Sequence, residues 1–551
     1  MKLFAAELDF RAIAREFELP DHFPEEVEAE AALVSDRVAS NPHDYAMGST
    51  VQRTQTDSTR IPSGAHASTT NSHSATTNSH SATTNSHSAT TNPHSATTSQ
   101  QSTNTTNQRV DLREVEFVTI DPAGSMDLDQ AVNIAEASVD GAPGWRVLYA
   151  IADVAAFVEP GGAVDAESLK RGQTIYLPDG HVRLHPAELS EGSASLLPDQ
   201  DRPAAVWDMH VRQDGEVANF SVYRALVRSR ARFDYVEVER DRVNGTLHPA
   251  IRHLPAVGQA RQQSDLRREA INLRLPSVSV EKDSGGDYHL VIEPRELMND
   301  YNSELSLMAG MCAGKLMMEA GIGLLRTLPP ASPKDVSKFD AAAAALGFFR
   351  GDKGLGELLA EIDASTPQGM ALMRDAQSLL RGASYVAFGF GSGEAAGGVD
   401  QRERPGDKVE PAVHAGVGGF YAHVTAPLRR LADRYATEVC LAIQGGSDVP
   451  KWVTAGIERV VDTMKSSTPR ANQVDRACLR LTEAMVLQPW VGQNFSAAVM
   501  HTGAEEADVF VAEPPVIADC VGTPEEGTTA LVTLVKADTQ ERKVEFAWPA
   551  D

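Results

Sequence analysis

Apolar positions at Val115, Phe117, Val118 and Ile120 read as a β-strand, and a second β-like run follows from 131 to 135. The short stretch between them carries Asp121, Asp127 and Asp129, so a loop joining two strands holds three carboxylates close together. Further on, Arg228, Arg230 and Arg232 alternate along a β-like stretch that begins near Arg224, which places those three on one face. After about residue 296 the apolar spacing becomes helical. Thr425-Ala-Pro427 precedes a long periodic segment, with Thr suited to cap a helix and Pro to its first turn; Gly445-Gly446 supplies the stop. Val474, Cys478, Leu481 and Met485 form an apolar helical stripe, while Arg476, Arg480 and Glu483 share another face that reads as a solvated ion-pair face. Beyond 490 the period shortens again. Runs at 495–500, 508–512, 516–521, 530–535 and 543–548, separated by turn residues, predict five short strands and an OB-type barrel.

The N-terminal part differs from all of this. Residues 1–48 read as a helical linker. Residues 49–108 are a polar repeat of Ser-His-Ser-Ala-Thr-Thr-Asn, with histidines at His66, His73, His80, His87 and His94. Its period of seven has no apolar a and d positions and so is no coiled coil. Such a composition cannot bury enough apolar surface to offset ordering, and disorder is expected. An inert spacer is the plain reading of the repeat, metal capture by its histidines the other.

Composition narrows the function classes. The chain has 551 residues, enough for more than one domain, and a formal net charge of -26. A nucleic-acid enzyme of this charge cannot rely on bulk attraction to phosphates and needs a local basic channel and bound cations. The arginines at 224, 228, 230 and 232 are a candidate channel wall or a solvated strand face. From Asn494 onward there are 11 acidic residues against Lys536, Arg542 and Lys543, which argues against strong phosphate binding by the barrel. The four cysteines lie far apart, without a Cys-x-x-Cys pair, which argues against a zinc site and gives no support for a disulfide framework. Acidic residues come too early for a signal peptide, and no apolar run approaches a membrane span. A cytoplasmic protein with no membrane association and no obligate protein partner is expected.

Three carboxylates in so short a stretch raise one another's pKa unless a cation neutralises them. Hard oxygen ligands favour Mg²⁺, with Mn²⁺ as a substitute. Such a cluster can hold metal ions against a phosphodiester and activate water. The same spacing is compatible with a solvated Asp-rich turn. A calcium loop is excluded, because counting from Asp127 the sixth and twelfth positions are Val132 and Ser138, not Gly and Glu.

The run FVTIDPAGSMDLDQAV at 117–132 resembles the signature of the RNase II family of 3′-to-5′ exoribonucleases, whose catalytic domain opens with an Ile-Asp pair and an Asp-x-Asp-Asp-Ala group. Further blocks follow in the family's order: Leu148-Tyr-Ala-Ile-Ala-Asp153-Val, Arg171-Gly-Gln-Thr-Ile-Tyr176-Leu-Pro, His185-Pro-Ala-Glu-Leu-Ser190 with Asp201-Arg202, and Tyr421-Ala-His-Val-Thr-Ala-Pro427-Leu-Arg429-Arg430. The resemblance implies an α+β fold: an RNase II-type catalytic domain over 109–490 and a C-terminal OB-type β-barrel over 491–551. It implies hydrolysis of single-stranded RNA to nucleoside 5′-monophosphates, with Asp121, Asp127 and Asp129 holding Mg²⁺ and Asp129 also catalytic. Arg429 falls on the family arginine that stabilises charge at the scissile phosphate. Tyr176 falls on a tyrosine that packs against the RNA end, and Glu483 on a glutamate against the terminal ribose. Tyr421 and Arg430 lie in the same block as Arg429 and are expected to contact RNA.

Three departures stand out. The fourth family aspartate is Gln130, which offers a neutral amide as a weak or indirect metal partner; the alternative is an RNA-binding protein on the same fold with catalysis impaired by Gln130. The family's second stacking aromatic is absent from 324–330. The cold-shock OB-folds that usually precede the linker have no room here, nor is there an aromatic-basic strand pattern for stacking bases.

Overall fold

The computed structural model describes residues 8–40, 109–390 and 413–550, apart from 265–266, 268–269, 272, 274–277, 293–295 and 365. The polar repeat expected to be disordered at 49–108 lies outside the described residues.

Two helices lead in, α1 (Arg11–Glu16) and α2 (Glu25–Ser40). On α2 the residues Val27, Ala31, Val34 and Val38 recur every three or four positions and are all buried. They join the core beneath the main sheet. Glu30, on the same helix, accepts from the backbone N–H of Ala163 (2.5 Å) at the start of α3 (Ala163–Arg171). That helix has Gly162 at its N-cap, so a remote carboxylate supplies the acceptor its own cap lacks. A Cβ at Gly162 would lie 2.5 Å from Glu30 Oε1, which accounts for the glycine.

The main sheet comprises β1 (Val110–Asp111), β2 (Phe117–Ile120), β3 (Gln130–Val139), β4 (Ala142–Ala152), β7 (Asp201–Arg212) and β8 (Val217–Phe233); β5 (Ile175–Leu177) and β6 (Gly180–Val182) form a separate hairpin. The order is β1-β8-β2-β3-β4-β7, and β8 also pairs with β7. One 17-residue strand therefore serves both ends, antiparallel to β7 and, at its far end, parallel to β2. Both faces are covered. Val118, Val132, Val147, Tyr149 and Trp207 enter one core, and their strand neighbours Phe117, Ala131, Leu148 and Val206 enter another. Alternate residues facing two cores give near-continuous apolar runs rather than a polar alternation.

Helices and two small two-stranded sheets follow: α4 (Tyr235–Asn244), α5 (Leu254–Gln263), β9 (Val278–Lys282), β10 (Tyr288–Ile292), α6 (Leu297–Ala320), β11 (Gly323–Thr327), α7 (Pro333–Ala345), α8 (Leu355–Glu361), α9 (Pro367–Ala376), β12 (Ser384–Phe388), α10 (Leu431–Gly445) and α11 (Lys451–Leu487). Gly310 and Gly314 on α6 let the 420–422 segment lie directly against the helix: a Cβ would come within 2.1 Å of the Tyr421 ring at the first and 2.6 Å of backbone at the second. The helix expected to start at 425–427 starts instead at Leu431. Ahead of it the chain is held by side chains, the Ala426 N–H donating to Asp433 Oδ1 (2.7 Å) and the Leu428 N–H to Asp129 Oδ1 (2.8 Å). Gly446 ends it in a left-handed conformation, as expected.

The five C-terminal strands β13 (Asn494–Thr502), β14 (Glu506–Ala512), β15 (Pro515–Val521), β16 (Thr529–Asp538) and β17 (Lys543–Ala547) close into a barrel in the order β13-β14-β15-β17-β16. The α+β architecture with a C-terminal barrel is thus the observed one. Among the described residues no helix is long and apolar enough to cross a membrane.

Candidate active site

The carboxylate loop is held from both sides. At its start the Asp121 N–H donates to the carbonyl of Phe233, the last residue of β8 (3.1 Å). Gly124 takes the positive φ the turn requires. In the middle, Leu128 is wholly buried, which leaves Asp127 and Asp129 on either side of an apolar anchor. Ser195 clasps the same place from another segment: its hydroxyl accepts from Leu128 N–H (2.9 Å) and donates to the Met126 carbonyl (2.6 Å). Nothing in the spacing of the sequence singles out Ser195.

The second block arrives from almost 300 residues away. Asp129 Oδ1 accepts the Leu428 N–H, and Asp129 Oδ2 lies 3.5 Å from Arg429 Nε. The arginine segment is strapped to the residues ahead of β5 by Thr174 N–H to Arg429 O (2.9 Å) and Leu431 N–H to Gly172 O (2.9 Å). His185, whose ring is buried and hydrogen-bonds the Pro427 carbonyl, is held neutral, its pKa lowered to about 3 by burial. The β5–β6 hairpin brings Tyr176 to the rim: its hydroxyl donates to Asp127 Oδ2 (3.2 Å), and the residue is 49 % exposed.

Burial dominates the electrostatics. It raises Asp121 to about 7 and Asp129 well above the ordinary carboxylate range. The Arg429 charge opposes the rise at both, Arg232 opposes it at Asp121, and the Asp127 charge adds to it at both. Asp121 Oδ2 and Asp129 Oδ2 are buried and accept no hydrogen bond. Two buried oxygens without donors, in a pocket of three coupled carboxylates, fit a divalent cation with hard oxygen ligands. With Asp127 drawn to Tyr176, the three ligand oxygens do not all lie within 4.8 Å of one another.

A family model described as the RNB domain matches residues 109–442, more than half of the chain. The chain belongs to the RNB family. A second model, the RNase II-type exonuclease C-terminal S1 domain, matches 493–548. Ribonuclease R of Vibrio cholerae is 28% identical over 436 residues, covering 71% of this chain and 48% of that protein. Ribonuclease R of Vibrio parahaemolyticus is 42% identical over 130 residues, covering 24% of this chain and 15% of that protein. The chain thus spans about half, or less, of the length of these curated relatives. In fold it is similar to Mycoplasma genitalium RNase R, solved in complex with ribose methylated single-stranded RNA, with a TM-score of 0.68 at 18% identity over 80% of this chain and 71% of that one.

Within this RNB fold several expected residues have other surroundings. Gln130, expected as a weak metal partner, has its carboxamide held by protein groups: Nε2 donates to the Thr425 carbonyl (2.7 Å), and Oε1 accepts from Ser306 Oγ (3.1 Å) and from the Tyr149 hydroxyl. With both lone pairs of Oε1 filled, it ties β3 to the 425–429 segment and α6. Tyr421 is buried, its ring edge-on to His414 and His423. The ring packs against α6 and offers RNA no face. Arg430 is the N-cap residue of α10 and pairs with Asp433 (Nη2 to Oδ1 2.8 Å), which leaves it structural. Glu483, expected on a solvated face, is buried on α11 beside Ala484, which enters the barrel core. Burial raises it to about 8, only Arg480 opposes that, and no group of the carboxylate pocket acts on it.

The arginine face is corrected in the same way. Arg224 lies between Asp153 and Glu438, Arg228 pairs with Asp201, and Arg230 donates to the Arg113 carbonyl. Only Arg232 reaches the pocket, where it donates to Ser125 O (3.0 Å). At 324–330 the leucines 324, 325 and 328 are buried, and the neighbouring aromatic, Tyr385, is buried against His423.

Proposed function

We propose that this chain is a metal-dependent 3′-to-5′ exoribonuclease that hydrolyses single-stranded RNA to nucleoside 5′-monophosphates. The observation that carries the reading is the pair of buried, undonated oxygens on Asp121 and Asp129 beside Arg429. Asp121, Asp127 and Asp129 would hold Mg²⁺, or Mn²⁺ in its place. The bound ion supplies Lewis-acid polarisation of the phosphate and a lowered pKa for water.

The chain's own groups do the remainder. Arg429, half-exposed and fixed through its backbone to Thr174, presents a cation where negative charge develops at the phosphate. Asp129 Oδ2 faces both the guanidinium and the pocket, so the same oxygen orients Arg429 and is open to the ion. Tyr176 gives the RNA end an exposed ring to stack on. Base identity matters little to contacts of this kind, and RNA is told from DNA by its 2′-hydroxyl. The single-stranded RNA bound in the Mycoplasma structure and the family of the chain both support single-stranded RNA as substrate. A cytoplasmic enzyme acting without an obligate protein partner completes the reading.

The test is product analysis. Full-length protein with Mg²⁺ and a 5′-labelled single-stranded RNA should yield a ladder shortening from the 3′ end, and uniformly labelled RNA should yield nucleoside 5′-monophosphates. Binding without any shortening would instead support the relic with impaired catalysis. Internal cuts would refute exonucleolytic action.

A further inference from the structure

A second constellation lies away from the carboxylate pocket, where α9 meets the barrel. Asp375 stands near the end of α9, His501 on β13 just past the register shift between Val499 and His501, and Glu526 between β15 and β16. One ligand atom from each comes together with the others within 4.8 Å, the one such trio of His, Cys, Asp or Glu among the described residues. A small apolar cluster of Met370, Ala498, Met500 and Phe510 packs beside it. The Thr502 N–H fixes Glu526 through Oε2 (2.9 Å). His501 Nδ1, 3.2 Å from the same oxygen, is closed off from solvent yet makes no hydrogen bond. No hydrogen bond or ion pair among the described residues reaches the Asp375 carboxylate, although it is half-buried and faces the charges of Glu526 and Asp508. Lys338, Arg374 and Arg381 line the adjoining cavity of about 250 Å³, and the Lys338 charge acts on Asp375 in the direction opposite to Glu526 and Asp508.

We propose that Asp375, His501 and Glu526 form a zinc site that clasps α9 to the barrel. One imidazole nitrogen with two carboxylate oxygens is a donor set for zinc, which takes nitrogen and oxygen ligands in near-tetrahedral geometry; Mg²⁺ prefers oxygen alone. Three protein ligands leave a fourth position for water from the cavity. The ion offsets the repulsion between two facing carboxylates and gives the imidazole lone pair a partner. Because the ligands come from a helix, a strand and a loop, the site forms only when the helical region and the barrel are docked, and its binding energy stabilises that docking. It is independent of the pocket around Asp129.

The alternative occupant is a proton: an imidazolium at His501 would also sit between two carboxylates. Full-length protein is stripped with a chelator, dialysed, loaded with Zn²⁺ in excess Mg²⁺ and assayed for zinc by atomic emission. So that zinc held elsewhere on the chain does not count, the reading is the difference between wild type and two variants on different elements, His501→Ala and Asp375→Asn. Each variant should hold one equivalent less than wild type, lose the zinc-dependent rise in Tm and lose the visible absorption of the Co²⁺-substituted wild type. RNA turnover in Mg²⁺ should be unchanged in both. Equal zinc in all three proteins, or a zinc-dependent rise in Tm that His501→Ala retains, would overturn the proposal.

Discussion

In the carboxylate pocket, Asp121 and Asp129 each keep a buried oxygen that no donor reaches. In the barrel, every cation is matched: Lys536 meets Glu541, Arg542 meets Glu16 on α1, and Lys543 meets Glu545 at 2.7 Å. The barrel is also the more acidic region, with 11 acidic residues after 493. Both regions are rich in carboxylates, yet the lysines and arginine of the barrel are spent on surface pairs, while the pocket keeps two buried oxygens without a hydrogen-bond donor. A surface ion pair contributes little to stability and nothing to chemistry, whereas a buried acceptor without a donor is kept where a ligand completes it. Matched and unmatched charge, rather than acidity as such, separates scaffold from site.

The comparison predicts its largest effects in the pocket. Asp129→Asn should abolish mononucleotide release while RNA binding, read by filter retention, persists; turnover equal to wild type would remove Asp129 from the chemistry. Arg429→Ala should lower the single-turnover rate by about 10²–10³-fold, the usual loss for one preorganised charge-stabilising donor.

Glu483 tests whether an unmatched buried carboxylate outside the pocket behaves as a burden. Its pKa, raised to about 8, means that the folded state holds the proton more tightly than the unfolded chain. Stability is therefore lost as pH rises from about 4.5 through 8. At about 1.4 kcal/mol per unit the loss is on the order of a few kcal/mol. Glu483→Gln should flatten the dependence of Tm on pH between 5 and 9, and a variant that still loses stability over that range would show that Glu483 is not its source.

Smaller effects follow for matched groups. Gln130→Asp removes the amide that donates to Thr425 O and sets a carboxylate against that carbonyl, at a cost of about 1–3 kcal/mol. The Mg²⁺ concentration for half-maximal rate should not fall, because position 130 is occupied by protein hydrogen bonds; a lower midpoint would make it a metal position after all. Lys543→Ala should change RNA affinity by less than about twofold, an exposed pair being worth about 0–1 kcal/mol.

Much of this was legible in the sequence. The strands flanking Asp121 and Asp129 and the five barrel strands were readable because alternation and turn residues are local signals. The Tyr176 hairpin and the Arg429 block were readable only as resemblance. What escaped depended on partners far along the chain. Thr425 and Pro427 look like a helix start, but the segment is tied to Asp129 and Asp433 and the helix begins only at Leu431. Arg224, Arg228 and Arg230 look like a basic track until Asp153, Glu438, Asp201 and a carbonyl of Arg113 fill their donors. Gln130 looks like a lost ligand until Tyr149, Ser306 and Thr425 surround it. Most of these hydrogen bonds join residues 19 to 299 positions apart, which leaves no periodicity to read.

The central claim is that the Asp121, Asp127 and Asp129 pocket is completed by a divalent cation and cleaves RNA only then. The direct measurement is the initial rate of 5′-mononucleotide release from a single-stranded RNA as Mg²⁺ is titrated into chelator-stripped full-length protein. The account predicts no release without metal, a saturable rise with Mg²⁺ and no rise at any concentration in Asp129→Asn. Release that is indifferent to chelation, or a saturated wild type that yields no mononucleotide, would contradict it.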